Sequence, residues 1–108
     1  ENNFFNYRPA EVSGYLYKTR KVMKGWKKRF FELREHFLFY YNKKEDKQPK
    51  GIIFLDGCEV EELKDFNTTK KYGFKISHKS DTYENFMFYC TDKQEYDQWM
   101  SILKEFNT

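Results

Sequence analysis

Apolar and polar positions alternate with a period of two through most of the chain. Seven short segments show this alternation, and turn-forming residues such as the Asp56-Gly57 pair separate them. Side chains on a strand point alternately to the two faces of a sheet, so each segment predicts a strand with one buried face. The predicted strands are Val12–Thr19, Trp26–Arg34, His36–Asn42, Gly51–Leu55, Cys58–Leu63, Tyr72–Ser77 and Glu84–Thr91.

The period changes near the end of the chain, where apolar residues recur every three or four positions and indicate an amphipathic helix. These positions are Tyr96, Trp99, Met100, Leu103 and Phe106. Thr91 or Asp92, followed by Gln94 and Glu95, matches the capping box that starts a helix. Seven strands and one helix predict an α+β, mostly β fold, namely a bent antiparallel barrel with its open end plugged by the helix. Trp99 is the predicted plug.

Composition is consistent with one compact domain. Of the 108 residues, 21% are aromatic, so a packed core is expected although 34% are charged. No apolar run approaches the length of about 20 residues that a membrane-spanning helix needs. We expect residues 1–10 to form an arm that leads into a domain at 11–108. Cys58 and Cys90 lie in separate apolar runs, which favours two buried thiols over a disulfide.

Charge is distributed unevenly along the chain. The stretch KTRKVMKGWKKR, residues 18–29, holds seven basic residues and no acidic one, whereas the whole chain has a net charge of only +3. The remainder of the chain is therefore net acidic. Such asymmetry favours one electropositive site and an anionic partner.

The basic residues of this stretch fall on the inward side of their strands. Along WKKRFFEL, alternation puts Lys27 and Arg29 on the same face as the apolar residue Phe31. In the preceding strand, Lys18 shares a face with Leu16. The end of one strand in an antiparallel hairpin lies beside the start of the next. Lys18, Lys27 and Arg29 are therefore predicted to converge at the mouth of the barrel.

A cluster of buried cations is unstable unless water or an anion compensates it. Phosphate fits best, because arginine offers a planar fork for two oxygens and lysine a mobile point charge. Arg20 and Lys24, in the intervening loop, are predicted to add donors, and Val22-Met23 at its tip to enter the membrane interface. The alternative is a solvated basic edge that only discourages strand pairing.

Three motifs carry a family resemblance. GYLYK, WKKRFFEL and EYDQWMSIL occur in the order found in pleckstrin homology domains, and the chain resembles that family from about Glu11 to Phe106. The resemblance implies a seven-stranded bent barrel capped by a C-terminal helix. Lys18, then Lys27 and Arg29 before two aromatic residues, is similar to the members that bind 3-phosphorylated inositol lipids.

Resemblance to the cytohesin-type members of that subset implies two further headgroup contacts. They are Tyr40 in FLFYY and Lys50 in DKQPKGIIFL, although Tyr40 also suits a core position. The link around His78 to Asn85 is shorter than its cytohesin-type counterpart, which leaves the preferred headgroup isomer open. The function implied is that of a cytoplasmic, monomeric module recruited reversibly to anionic membranes through a phosphoinositide headgroup, with no cofactor.

Other functions have weaker support. His36 and His78 are isolated in the sequence and Cys58 has no evident partner, so no catalytic site is expected. No ligand spacing indicates a metal. Nucleic acid is not an expected partner, because the aromatic residues follow core spacing. The main alternative is a module of the same fold that recruits a protein and binds anionic lipid only weakly and nonspecifically.

Overall fold

The computed structural model of the chain describes residues 10–20, 25–64, 71–79 and 85–107, and of Arg20 it describes only the backbone. The strands are β1 (Val12–Arg20), β2 (Lys27–Arg34), β3 (Phe37–Tyr41), β4 (Gly51–Phe54), β5 (Cys58–Glu62), β6 (Tyr72–His78) and β7 (Phe86–Cys90). Helix α1 (Lys93–Leu103) follows β7 and continues into a 3-10 turn at Lys104–Phe106. Every predicted strand is present, with ends that differ by at most two residues.

The strands form one antiparallel sheet in the order β4-β3-β2-β1-β7-β6-β5. The sheet curls into a half-barrel whose edges are β4 and β5, which confirms the predicted fold. Strand β1 lies in the middle, between β2 and β7. In the β1–β2 hairpin Val12 is opposite Leu33 and Lys18 is opposite Lys27, so the end of β1 meets the start of β2.

The inward side chains of the strands form the core. Leu16, Phe31 and Phe88 are fully shielded from solvent. Trp99 of α1 is only 1% exposed and belongs to the same cluster, which confirms its role as the plug. Burying a side chain of this size contributes about 2–3 kcal/mol to folding.

Both ends of the helical segment are fixed by side chains. Asp92 is the N-cap residue, and its carboxylate accepts hydrogen bonds from the backbone N–H groups of Gln94 (2.8 Å) and Glu95 (3.2 Å). These groups have no acceptor within the helix, so the cap stabilises its first turn. Beyond the 3-10 turn, Asn107 accepts from the N–H of Val60 and donates to its carbonyl oxygen. The helical segment is thereby tied to β5.

The cysteines and histidines agree only partly with expectation. Cys58 and Cys90 are buried free thiols, and burial raises the pKa of each to about 11. The prediction that the histidines are isolated is wrong. The Sγ of Cys58 lies 3.2 Å from Nε2 of His78, because β5–β6 pairing places the two residues opposite each other. Nδ1 of His36 lies 2.7 Å from Oδ1 of Asp56.

Candidate anion-binding site

A cavity of about 170 Å³ opens at the end of the β1–β2 hairpin. We call it the hairpin cavity. It is lined by Lys18, Thr19, Gly25, Lys27, Arg29, Tyr40 and Lys50. Four of these side chains are basic, and none of the described lining residues is acidic. The structure therefore brings together five of the seven residues that the sequence predicted to contact a headgroup.

Strand register explains why cations line this cavity. On the inner face of β2, burial decreases from Phe31, which is fully buried, through the half-buried Arg29 to the exposed Lys27. On β1, the buried Leu16 is followed on the same face by the half-buried Lys18. The strands thus run from the core into solvent at this end. Long basic side chains suit such positions, since their stems pack on apolar neighbours while their charges stay hydrated.

Two aromatic rings hold Lys18 in place. Its Nζ lies 4.7 Å from the ring centroid of Tyr40 and 5.0 Å from that of Phe86. An ammonium group over a ring face is attracted by about 0.5–2 kcal/mol, depending on its exposure to water. These contacts restrict the Lys18 side chain before any ligand arrives. A ligand that binds it therefore has less side-chain entropy to remove.

Sequence analysis missed the contribution of Phe86. Alternation along β7 places Phe86 and Phe88 on one face, which is a signal that the sequence does contain. The missing information is that β7 pairs with β1, which brings Phe86 opposite Arg20 and close to Lys18. Such a pairing joins segments more than sixty residues apart in the printed sequence. No local pattern specifies it.

Tyr40 has both of the roles that the sequence allowed, since it packs against the core and also lines the cavity. Its ring lies 5.4 Å from that of the core residue Phe31, and it also lines the hairpin cavity. Across the β3–β4 pair it faces Gly51, where an added methyl group would overlap the phenol ring. The N–H of Lys50 donates to the Tyr40 carbonyl oxygen at 2.7 Å, which fixes the backbone of Lys50 beside the cavity.

Arg29 and Lys28 lie on opposite faces of β2. Nη1 of Arg29 donates to the Lys28 carbonyl oxygen at 2.9 Å, and among the described residues no carboxylate forms an ion pair with this guanidinium. Arginine has five N–H donors, so this bond occupies one of them. Lys28 points outward, with Nζ 5.1 Å from the Tyr15 ring centroid and 5.9 Å from that of Tyr17.

Several predicted residues lie outside the described part of the chain. They are Lys24, with Val22 and Met23 from the proposed membrane-contact tip, and the side chain of Arg20. Their roles remain predictions.

A second groove shows why volume alone does not identify the site. It measures about 400 Å³ and lies between α1 and the β5–β6 edge of the sheet. Its lining mixes charges, since Lys93 forms an ion pair with Asp97 at 2.9 Å and Glu62 is also present. Within the described ranges, no group of three or more His, Cys, Asp or Glu residues is arranged to hold a metal ion. None of the described helices has the length and apolarity to cross a membrane.

A protein-family model matches most of the chain. The family model described as PH domain matches residues 10–106. Human Rho GTPase-activating protein 25 is 29% identical over 103 residues, which are 90% of this chain and 16% of that protein. The chain spans between 5% and 16% of the lengths of the first curated relatives that it matches.

Solved structures show the same fold. The pleckstrin homology domain of the human KIAA0053 protein has a TM-score of 0.76 and 27% identity, covering 92% of this chain and 89% of that one. The C-terminal PH domain of pleckstrin, in complex with D-myo-Ins(1,2,3,5,6)P5, has a TM-score of 0.74 and 25% identity, covering 92% and 96%.

Proposed function

This chain belongs to the PH domain family, and we propose that its hairpin cavity binds the phosphate groups of an inositol phospholipid headgroup. Binding would bring the protein that contains this domain to a membrane surface. The observation that carries the proposal is the convergence of Lys18, Lys27, Arg29 and Lys50 on one cavity that has no described acidic lining residue.

The chemistry of the cavity favours a ligand with several phosphate groups. Arg29 can donate two parallel hydrogen bonds to one phosphate, and the three lysines can each approach another oxygen as mobile charges. A hydrogen bond to a charged group contributes about 1.5–3 kcal/mol. A headgroup with one phosphate would leave some of these cations without an anionic ligand. A polyphosphorylated inositol ring can satisfy several of them together.

A solved neighbour supports this class of ligand. The C-terminal PH domain of pleckstrin, 25% identical to this chain, was determined with an inositol pentakisphosphate. Similarity at this level supports the ligand class for this chain.

We further propose that the preferred headgroup carries a 3-phosphate. Lys18, Lys27 and Arg29 match the pattern of members that bind such lipids. Tyr40 and Lys50, which correspond to additional contacts in the cytohesin-type members, lie on the same cavity. The match to the members that bind 3-phosphorylated inositol lipids therefore extends from β1 and β2 to β3 and the β3–β4 connection.

The PH domain is a non-catalytic module, and some relatives are multidomain proteins named for GTPase-activating or kinase activity. Cys58 and His78 are the described residues that come nearest to a nucleophile and a base. Burial raises the pKa of the Cys58 thiol to about 11, so it stays protonated at neutral pH. A shielded, protonated thiol is a poor nucleophile.

Titration with soluble inositol headgroups tests the proposal. Calorimetry should detect binding of headgroups with several phosphates, and NMR shifts should be concentrated at Lys18, Gly25 and Tyr40. Among headgroups of equal phosphate number, those with a 3-phosphate should bind at least about tenfold more tightly, a difference of about 1.4 kcal/mol. Equal binding of the isomers would refute the 3-phosphate preference alone. Absence of binding to every headgroup would refute the proposed function and favour a protein-recruiting module.

A further inference from the structure

The outer face of the sheet is apolar at its β4 edge. Ile52 and Phe54 of β4 are 54% and 46% exposed, whereas Ile53 between them belongs to the core. Across the β3–β4 pair they face Phe39 and Phe37, respectively. The ring centroid of Phe37 lies 5.5 Å from that of Phe54 and 6.1 Å from that of Phe39. We use the name edge patch for four residues: Phe37, Phe39, Ile52 and Phe54. Adjacent apolar side chains that are this open to solvent indicate an interaction surface.

The backbone of Ile52 points out of the sheet at this edge. The Leu55 N–H donates to the His36 carbonyl oxygen at 2.9 Å, so these two residues form a hydrogen-bonded pair in line with the β3–β4 ladder. Hydrogen-bonded and non-hydrogen-bonded pairs alternate along an antiparallel ladder. Ile52 and Phe39 therefore form a non-hydrogen-bonded pair, and the N–H and C=O groups of Ile52 point away from β3. Since β4 is the terminal strand of the sheet that the structure describes, a further strand can pair with it at Ile52.

The two ends of β4 carry charge of opposite sign. Residues 43–50, which precede the strand, contain four lysines and two acidic residues. Asp56 follows the strand, and its side chain is 52% exposed although Nδ1 of His36 lies 2.7 Å away. Two β4 strands in antiparallel orientation place the basic segment of each copy beside Asp56 of the other. The edge is therefore complementary to itself in charge as well as in its apolar centre.

We propose that this edge is a self-association surface, at which the β4 strands of two copies of the chain pair antiparallel about a two-fold axis at Ile52. The N–H of each Ile52 donates to the carbonyl oxygen of the same residue in the other copy, and the two edge patches become one continuous apolar surface. Antiparallel pairing follows from closed two-fold symmetry, in which both copies contribute the same residues. The proposal goes beyond headgroup binding and does not depend on it.

A second copy fits this edge better than an unrelated extended peptide does. Any extended peptide can reach the same backbone groups. To match the edge as well, its side chains must present an apolar centre between one acidic and one basic end, which a second β4 supplies without further assumption. Because β4 has only four residues, the interface is small. A dissociation constant on the order of 100 µM is therefore expected.

Sedimentation equilibrium of the chain without ligand, from about 10 µM to about 1 mM, tests the proposal. The wild-type chain should shift from monomer to dimer across this range. Ile52→Lys places like charges opposite each other at the axis and should weaken the dimer about tenfold, with an unchanged circular dichroism spectrum because Ile52 is exposed. The matched control, Gln98→Lys, adds the same charge to an exposed position of α1, which packs on β6 and β7, and should change dimerisation less than twofold. Equal losses in the two variants would overturn the proposal. So would a wild-type chain that stays monomeric, which would leave the edge to a peptide of another protein.

Exchange of charges tests the antiparallel orientation. Asp56→Lys and Lys47→Glu should each weaken the dimer about fivefold, because each change brings like charges together at both ends of the paired strands. In a mixture of the two variants, every altered side chain faces one of opposite charge. The mixed dimer should therefore form about as tightly as the wild-type dimer. A mixture that associates no better than the separate variants would overturn the antiparallel pairing.

Disulfide formation tests the register. Ile52→Cys places two thiols across the axis with their Cα atoms about 5.5 Å apart, within the range for a disulfide. In Phe54→Cys the two Cα atoms are roughly 13 Å apart, which is too far. The native Cys58 and Cys90 are buried and add little background. Under mild oxidation Ile52→Cys should therefore form a cross-linked dimer, and Phe54→Cys should stay monomeric. Equal cross-linking of both variants, or of neither, would overturn the pairing at Ile52.

Discussion

Replacing Arg29 with alanine should abolish useful headgroup binding while leaving the fold intact. Arg29 is half-buried on the inner face of β2, with its stem next to the core and its guanidinium on the wall of the hairpin cavity. Its described hydrogen bond, to the Lys28 carbonyl oxygen, uses only one donor. The substitution therefore removes the cavity's only guanidinium among the described residues and keeps its three lysines.

The expected loss is large because the contact is bidentate and charge-assisted. Losing it should cost about 2–3 kcal/mol, equivalent to a drop of roughly 30- to 150-fold in affinity. Stability should change little or rise slightly, since one cation leaves a group of like charges and no described ion pair is broken. Calorimetric titration with a soluble inositol polyphosphate measures the first quantity, and thermal unfolding followed by circular dichroism measures the second.

Lys28→Ala is the internal control. It removes the same charge from the adjacent residue, but Lys28 lies on the outer face over Tyr15 and Tyr17. Its effect on soluble-headgroup affinity should stay within a few-fold. If Lys28→Ala is as damaging as Arg29→Ala, the inner-face register does not define the site. If Arg29→Ala unfolds the domain, Arg29 has a structural role. The inference that its guanidinium lies on the cavity wall, open to solvent and to a ligand, would then be wrong.

Three further predictions follow from other parts of the molecule. Gly51→Ala should displace the Tyr40 ring and remove about 1 kcal/mol of cation–π attraction between that ring and Lys18, which would weaken soluble-headgroup binding about fivefold. In a Tyr40→Ala background the same substitution should have little further effect. Replacing Val22 and Met23 by serine should weaken vesicle binding but not soluble-headgroup binding; a fall in both would mean that the loop shapes the cavity. Burial raises the pKa of the two thiols from 9.0 to about 11, so the unfolded chain loses these protons at a lower pH than the folded chain does. The free energy of unfolding measured in urea should therefore fall as pH rises from about 9 to about 11. Cys58→Ala should make that fall shallower. An unchanged slope would contradict the attribution of this pH dependence to the buried thiols.

Local patterns predicted the parts of the molecule that depend on local geometry. Period-two alternation identified each strand, and a hairpin joins neighbouring segments, so the convergence of Lys18, Lys27 and Arg29 followed from sequence alone. The helix and its buried Trp99 followed from the change to a period of three and four. These features need only the chirality and periodicity of the backbone.

Features that depend on long-range pairing were not predictable in this way. Phe86 contacts Lys18 because β7 pairs with β1, and Lys71 contacts the Tyr89 ring because β6 pairs with β7. Packing also overrides alternation at Phe30, whose register points outward. It is nevertheless 6% exposed, because Tyr15 and Tyr41 cover it at ring distances of 5.1 and 6.5 Å.

Vesicles of matched surface charge provide the most direct test of headgroup recognition by the hairpin cavity. One set would carry a 3-phosphorylated inositol lipid and the other enough phosphatidylserine to give the same charge. Nonspecific attraction between basic side chains and an anionic surface is common to both sets, so any difference in affinity must come from selective recognition of the headgroup. The wild-type chain should bind the inositol lipid vesicles at least about tenfold more tightly, and Arg29→Ala should remove the difference. Equal binding of the wild-type chain to the two sets would contradict a headgroup-selective cavity and leave a basic surface without specificity.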